Sequence, residues 1–239
     1  MSGILVYTEK EARRNAFAVK KFTEELGVIL VDENYDGDAD FVINRTNDYR
    51  VAERFEQRGI KVFNSSGLSK IANDKQLCYD VMEKNDIPIM QTRYKGAPVI
   101  KKAVGGSGGT QVYMLESSEE FEDGFVYQKP CDTLGKDLRV WLVGGEIIAS
   151  ILRESDTDFR SNYCLGGSAV LYELSREEAE LVKRIADMAN GDYIGIDFIF
   201  NDGKLVFNEI EDTVGARMVY DKTGIDIIKI YCDYIKKQF

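Results

Sequence analysis

The sequence predicts an α/β chain in which a small, doubly wound parallel unit is followed by a larger, mostly antiparallel α+β part. Two observations predict this division. The first 65 or so residues alternate short apolar runs with helical patterns, whereas later apolar runs are joined by hairpin-like turns. No internal repeat or low-complexity linker interrupts the 239 residues, and the 44% hydrophobic content is ample for real cores.

The first unit opens with a βαβ pattern. The apolar run at residues 4–7 precedes a helical pattern that reaches Leu26, where Gly27 is a typical stop, and residues 28–31 form the next apolar run. A strand pattern at residues 41–44 then leads to a charged helix ending at Gly59 and to residues 60–64. No GxGxxG turn is present in this unit, so a dinucleotide site is not expected there.

The second part begins after Ser65 with two short helical segments that reach Asp86. Strands are then predicted at residues 88–94 and 98–104, followed by apolar runs at 125–130, 137–143, 146–152, 193–200 and 204–211. Gly144-Gly145 and residues 201–203 are typical hairpin turns, and Ser175 with Glu178 forms a capping box that starts a helix to about Asn190. Antiparallel pairing is therefore expected to dominate.

Composition excludes several classes of protein. The net charge of −10 disfavours nucleic-acid partners, and the chain has neither an apolar run of about 20 residues nor the pattern of a secretory signal at its start. A cytoplasmic protein without a membrane partner is expected. The four dispersed cysteines (Cys78, Cys131, Cys164 and Cys232) suggest neither zinc nor disulfides, and the absence of histidine removes the commonest general base. Chemistry must therefore use carboxylates, Lys, Arg and a hard metal ion.

A lysine-bearing strand enters a glycine-rich loop at residues 99–112. The loop residues Gly105, Gly106, Ser107 and Gly108 can let several backbone N–H groups converge on a phosphate. It is not a Walker A loop, because lysine precedes the glycines and another strand follows. Taken alone, a flexible surface hairpin explains the pattern equally well.

Three carboxylates are predicted to converge on the last hairpin. Glu209 and Glu211 share one face of their strand, and the hairpin can bring Asp197 alongside. Because unpaired carboxylates repel, Mg²⁺ bridging nucleotide phosphates is their natural partner. Apolar neighbours favour this interpretation over a water-facing strand, namely Ile196, Phe198, Phe207 and Ile210. Arg153, Arg160 and Arg217 can grip a substrate acid or a transferring phosphoryl group, although each taken alone is more simply a surface ion-pair partner.

In this order, the motifs resemble those of the ATP-grasp superfamily, specifically the RimK-like carboxylate-amine ligases. The resemblance runs from about Asn73 to the C-terminus. Its elements are NDK at 73–75, the lysine strand with its glycine loop, VYQKP at 126–130, GKDLRVWLVGGEIIASILR at 135–153, DFRSN at 158–162, GIDFIF at 195–200, NEIE at 208–211 and TGIDI at 223–227. It implies three domains at residues 1–67, 68–126 and 127–239, with the two antiparallel α+β subdomains gripping ATP.

The resemblance also implies roles for individual residues. Lys75 and Lys101 match the nucleotide-binding lysines, with Lys102 as the alternative to Lys101. The linker residues Gln128 and Lys129 match adenine contacts, and Asp137 matches the ribose contact. The loop that holds Arg160, Ser161 and Asn162 matches the phosphate contacts. The residues that match the ligands of Mg²⁺ or Mn²⁺ are Asp197, Glu209 and Glu211. The residues that match the catalytic group are Arg160, Lys101, Arg153 and Arg217.

The chain departs from the family pattern in two places, the linker and the last strand. The linker has Gln128-Lys129-Pro130 where a Glu, an aromatic and an aliphatic residue are usual, which can alter nucleotide affinity. Glu211 stands where the family typically has Asn, and the added charge is expected to keep metal binding.

The implied activity is ATP-dependent ligation of a carboxylate to an amine through an acyl phosphate, on an amino acid, small metabolite or peptide. A nucleotide-binding scaffold or sensor without turnover and a calcium-binding surface module are the competing interpretations. ADP release separates the first from a ligase, and calcium affinity without nucleotide would indicate the second. The oligomeric state stays open, with a homo-oligomer as the usual outcome for soluble enzymes.

Overall fold

A four-stranded parallel sheet forms the first unit, as the βα alternation predicts. The structure is a computed structural model that describes residues 2–106, 111–117, 120–155 and 168–239. The strand order is β2-β1-β3-β4. These strands are β1 (Gly3–Val6), β2 (Ile29–Val31), β3 (Phe41–Asn44) and β4 (Lys61–Phe63). The helices up to the second sheet are α1 (Glu9–Arg14), α2 (Ala16–Leu26), α3 (Tyr49–Glu56), α4 (Ser66–Ala72) and α5 (Lys75–Lys84).

Both faces of this sheet are covered, which makes it doubly wound. Leu5 of β1 shares a hydrophobic cluster with Phe22 of α2, whereas Val6 shares another with Phe55 of α3. Alternate side chains of a strand point to opposite faces, so α2 and α3 lie on opposite sides. Buried central strands of this kind are typical of parallel sheets.

The first helical pattern is divided into two helices at Asn15. The Asn15 amide donates to Glu11 O at 2.9 Å, and Asn15 ends α1 and precedes α2. A side chain that bonds to nearby backbone competes with a continuous helix. The predicted stop is confirmed, since Gly27 caps α2 in the left-handed conformation with φ 67°.

A three-stranded antiparallel sheet with the order β6-β5-β7 contains the lysine strand. Its strands are β5 (Val99–Ala103), β6 (Val112–Leu115) and β7 (Phe125–Gln128). The strand predicted at residues 88–94 is wrong. That segment forms isolated bridges from Ile89 to Phe207 and from Thr92 to Gln128, because it crosses from one sheet edge to another and pairs continuously with neither.

A five-stranded antiparallel sheet with the order β10-β9-β8-β11-β12 forms the centre of the remaining chain. Its strands are β8 (Thr133–Val143), β9 (Glu146–Glu154), β10 (Ser168–Leu171), β11 (Tyr193–Asn201) and β12 (Lys204–Glu211). The helices are α6 (Arg176–Ala189), α7 (Arg217–Thr223) and α8 (Ile227–Lys236). Both predicted hairpins, β8–β9 and β11–β12, are confirmed, as is the capping box of α6.

The two faces of this sheet have different partners. Val140 packs in the cluster that includes α5 and α6, whereas Trp141 packs with α8 and with the first unit. Asp137 and Arg139 lie on the same face as Trp141 by the two-residue period of β8. That face is therefore apolar at one end and charged at the other.

Hydrophobic clusters cross the limits of the predicted domains. Leu5 and Phe22 share a cluster with Trp141, and Leu68 and Tyr79 share one with the five-stranded sheet. The division at residues 67 and 126 stays a prediction. Within the described ranges, no helix is long and apolar enough to cross a membrane.

Candidate active site

The two lysines of β5 point to opposite faces of the three-stranded sheet. Lys102 is buried, and its Nζ donates to Asn208 Oδ1 at 2.7 Å and to Tyr79 Oη at 3.2 Å. Lys101 Nζ is paired with Glu122 on the other face. The period of two residues in β5 thus places Lys102 beside the five-stranded sheet and turns Lys101 away from it, so the geometry favours the alternative named from the sequence.

Lys75 is held between the glycine loop and β12. Its Nζ donates to Gly106 O at 2.6 Å and lies 2.9 Å from Glu209 Oε1. Asp74 fixes the start of α5 by accepting from Leu77 N at 2.9 Å, which directs Lys75 toward this cleft. Gly105 and Gly106 therefore border the same cleft, while Ser107 and Gly108 lie outside the described residues.

Three carboxylates meet where β11 and β12 pair. Asp197 lies opposite Glu209 in the ladder, and Glu211 lies opposite Gly195. One oxygen from each of Asp197, Glu209 and Glu211 lies within 4.8 Å of the others. The predicted convergence is confirmed, and the set offers the hard oxygen ligands that Mg²⁺ prefers.

Arg139 lies opposite Asp197 on β8 and joins two of these carboxylates. Its Nε and Nη2 donate to Asp197 Oδ1 and Oδ2, both at 2.6 Å. Its Nη1 and Nη2 donate to Glu211 Oε2 and Oε1 at 2.7 and 2.5 Å. These two forks make Arg139 the principal cationic partner of Asp197 and Glu211 within the described residues.

Arg153 makes a second fork on the same face. Its Nε and Nη2 donate to Asp137 Oδ1 and Oδ2 at 2.5 and 2.7 Å, and Nη2 also donates to Asp197 Oδ2 at 2.9 Å. The structure thus places both Asp137 and Arg153 in the charged cluster. The donors Nε and Nη2 of Arg153 are bonded to carboxylates of the chain itself.

The carboxylates in this cluster differ in their ionisation. Burial of Asp197 opposes its charged form, but the guanidiniums of Arg139 and Arg153 outweigh burial and lower the pKa of Asp197. Burial raises the pKa of Glu211, and Asp197 and Glu209 add to this effect against the attraction of Arg139. Asp197 is therefore the more firmly ionised of the two, a tuning that is common at functional sites.

Burial also lowers the pKa of Lys102, to about 8, with Lys75 acting in the same direction and Glu209 opposing it. Lys102 thus titrates far closer to neutrality than an ordinary lysine. A phosphate placed beside it would restore its preference for the charged form.

The remaining predicted residues lie at the linker, on α7 or outside the described residues. Gln128 is buried and its Nε2 donates to Met90 O at 3.3 Å, whereas Lys129 donates its backbone N–H to Gln91 O at 2.9 Å and exposes its side chain. Arg217 is exposed at the start of α7. The predictions for Arg160, Ser161 and Asn162 fall outside the described residues. The roles assigned to all of these residues stay predictions.

Sequence reasoning missed Arg139, Asn208 and Tyr79. A signal for Arg139 was present, because it follows Asp137 by two residues in the quoted motif and so shares its face. Its partner could not be identified, since the pairing of β8 with β11 joins segments more than 50 residues apart.

Comparisons with known proteins agree with this geometry. The model of the RimK-like ATP-grasp domain matches residues 67–235. A "probable alpha-L-glutamate ligase" of Haemophilus ducreyi is 25% identical over 211 residues, which cover 78% of this chain and 69% of the relative.

Solved structures of ligases share the fold. The D-alanine–D-alanine ligase of Bacillus anthracis complexed with ATP has a TM-score of 0.75 at 16% identity, over 99% of this chain and 96% of that one. The ATP-grasp ligase PsnB complexed with minimal precursor, Mg and ADP has a TM-score of 0.71 at 17% identity, over 99% and 96%. The chain therefore belongs to the RimK-like ATP-grasp family of carboxylate-amine ligases.

Proposed function

We propose that the protein uses ATP to activate a substrate carboxylate as an acyl phosphate and joins it to an amine, releasing ADP and phosphate. One observation carries this proposal. Two lysines from different elements, Lys75 on α5 and Lys102 on β5, reach the strand that contains the acidic residues Glu209 and Glu211. Such an arrangement suits a nucleotide whose phosphates need both cations and a metal ion.

The residues present fit a divalent cation. Asp197, Glu209 and Glu211 would hold Mg²⁺, or Mn²⁺, through oxygen atoms. When bound, the metal would neutralise charge on the nucleotide phosphates. The Mg and ADP in the PsnB complex and the ATP in the D-alanine–D-alanine ligase support this cofactor set.

The chain's own residues supply position and charge. Lys75 and Lys102 lie where they can bind phosphate oxygens, and Lys102 takes the role that the resemblance gave to Lys101. A chain with no histidine suits this chemistry, because positioning and electrostatics supply most of the catalysis in phosphoryl transfer. An amine that arrives deprotonated then needs little help from a base.

The substrate class is an amino acid, small metabolite or peptide with a free carboxylate, and a second molecule with a free amine. The names of the relatives support this class, since they include an alpha-L-glutamate ligase, a D-alanine–D-alanine ligase and a ligase bound to a precursor.

The test begins with nucleotide binding. Mg-ATP is titrated into the wild type and into the double variant Glu209→Gln with Glu211→Gln, with the melting temperature as the readout. Saturable stabilisation is expected in the wild type and its loss in the variant. The matched control is Glu177→Gln with Glu180→Gln, two exposed residues of α6, which should respond as the wild type does.

Turnover is tested next by phosphate and ADP release with paired amino acids and short peptides. Release that depends on both a carboxylate and an amine would support the ligase. Binding of Mg-ATP without release for any acceptor would favour a nucleotide-binding scaffold, and failure to bind Mg-ATP would overturn the proposal.

A further inference from the structure

Arg139 occupies the hydrogen-bonding positions of two predicted metal ligands at once. Its guanidinium forms one bidentate pair with Asp197 and another with Glu211, at 2.5–2.7 Å. Bidentate arginine–carboxylate pairs are among the stronger polar contacts in proteins, particularly where water is scarce. Side-chain exposure is 13% for Arg139, 5% for Asp197 and 25% for Glu211, so the pair with Asp197 is poorly hydrated and the pair with Glu211 is partly hydrated.

The third predicted ligand also has a cationic partner. Glu209 pairs with Lys75 at 2.9 Å, and Asp197 has Arg153 as a second partner at 2.9 Å. The cluster therefore contains four carboxylates and three cationic side chains, a formal charge of −1. Its members are Asp137, Asp197, Glu209, Glu211, Lys75, Arg139 and Arg153.

This balance limits the attraction for a free metal ion. A divalent cation must take oxygen lone pairs that now accept from Arg139, and it would change the formal charge of the cluster from −1 to +1. A nucleotide brings several negative charges and so reverses that excess. The cluster is thus complementary to a metal–nucleotide complex and poorly suited to the metal alone.

We propose that Arg139 is an exchangeable counter-ion of the metal site. It neutralises Asp197 and Glu211 in the absence of nucleotide, and it turns to an anionic oxygen of the bound complex when the metal takes these carboxylates. Divalent-cation binding is thereby made conditional on nucleotide. This inference rests on the proposed function. It also explains why an anionic residue stands at position 211, since Glu211 is one of the two carboxylates that pair with Arg139.

The experiment measures Mn²⁺ binding to the full chain by electron paramagnetic resonance of the free ion, with and without ADP, corrected for a blank of Mn²⁺ with ADP. The wild type is expected to bind Mn²⁺ at least about ten-fold more tightly with ADP than without it. Arg139→Gln is expected to bind Mn²⁺ without ADP at least about ten-fold more tightly than the wild type. Arg176→Gln, an exposed residue on α6, is the control and should match the wild type.

The melting temperature is the second readout. It shows whether Arg139→Gln is folded, since this variant leaves the carboxylates of Asp197 and Glu211 to repel each other without Arg139 between them. Mn²⁺ alone is expected to raise the melting temperature of Arg139→Gln and to leave that of the wild type unchanged. Arg139→Lys keeps a charge but loses the fork, so it should bind Mn²⁺ with intermediate affinity without ADP.

Two results would overturn the inference. ADP-dependent Mn²⁺ binding in the wild type, with an unchanged affinity and melting response in Arg139→Gln, would remove the role of Arg139 and leave the proposed function intact. A wild type that binds Mn²⁺ neither with nor without ADP would contradict both.

Discussion

Lys102 on β5 and Asn208 on β12 connect the two antiparallel sheets, with Lys102 Nζ donating to Asn208 Oδ1 at 2.7 Å. Tyr79 completes the contact, since its hydroxyl donates to Asn208 O at 2.8 Å and lies 3.2 Å from the same Nζ. The bond spans the cleft in which we place the nucleotide. A nucleotide bound there would contact residues that join the two sheets.

Replacing Lys102 is expected to weaken Mg-ATP binding far more than replacing Lys101. Lys102→Met removes a buried charge that faces the cleft, and we expect a loss of at least about ten-fold in affinity, or about 1.4 kcal/mol. Lys101→Met removes a charge that faces Glu122, so a change of less than about three-fold is expected. Isothermal titration calorimetry with Mg-ATP measures both, and the reverse order would restore the assignment to Lys101.

The affinity for Mg-ATP is expected to fall as pH rises through about 8. Burial lowers the pKa of Lys102 to about 8, so the charge that binds phosphate is lost above that pH. From this group alone, affinity at pH 9 should be about ten-fold weaker than at pH 7. Lys102→Arg keeps its charge at both values and should lack this slope.

The same shift affects stability in the opposite direction. The folded pKa of Lys102 lies below the ordinary value of 10.5, so the unfolded chain binds more protons between pH 8 and 10.5. The contribution of Lys102 to the free energy of unfolding therefore rises across that window. Urea titrations measure the free energy of unfolding of the wild type and of Lys102→Met at pH 7.5 and 9.5. The value for the wild type minus that for the variant should be larger at pH 9.5. The same value at both pH values would contradict the lowered pKa.

Much of the fold follows from local patterns. Residues 41–44 and 193–200 are apolar runs that form buried strands, and Gly27 and the Ser175–Glu178 capping box mark helix ends by backbone chemistry that is visible in the sequence. The strand prediction for residues 88–94 is wrong because a short run between turn signals reports only local preference. It does not report whether a neighbouring strand is there to pair.

Only the part of the candidate site that lies on a single hairpin follows from the sequence. Asp197, Glu209 and Glu211 converge through the β11–β12 ladder, which is local in sequence. The sequence does not decide between Lys101 and Lys102 and does not reveal Arg139, because the environments of these residues depend on contacts between segments far apart in the chain.

Asn64 is predicted to be essential for stability. The residue is buried, and its Nδ2 donates to Tyr193 O at 2.8 Å and to Asp212 O at 2.7 Å, while its Oδ1 accepts from Asp192 N at 2.6 Å. Asn64→Leu should lower the free energy of unfolding by about 2–4 kcal/mol, because it leaves buried backbone groups unpaired. Urea denaturation measures the loss.

Asn85→Leu is the matched control for Asn64. Its side chain is exposed and donates only to Val81 O among the described contacts, so a cost of about 1 kcal/mol or less is expected. Equal losses in the two variants would show that the bonds of Asn64 do not hold β4 to β11 and β12.

Arg153 is expected to act by positioning carboxylates, although the sequence suggested a catalytic role. It is 6% exposed and is bonded to Asp137 and to Asp197. Arg153→Gln should therefore lower the free energy of unfolding by about 3 kcal/mol, since it removes the bidentate cation bonded to Asp137 and one of the two arginines bonded to Asp197. Adding Asp137→Asn should recover part of that loss, and the recovery in a double-mutant cycle by urea denaturation measures the coupling. An Arg153→Gln variant with unchanged stability and a reduced kcat/KM would instead assign Arg153 to the substrate or the transferring phosphoryl group, because a residue that binds only those groups contributes nothing to the fold without them.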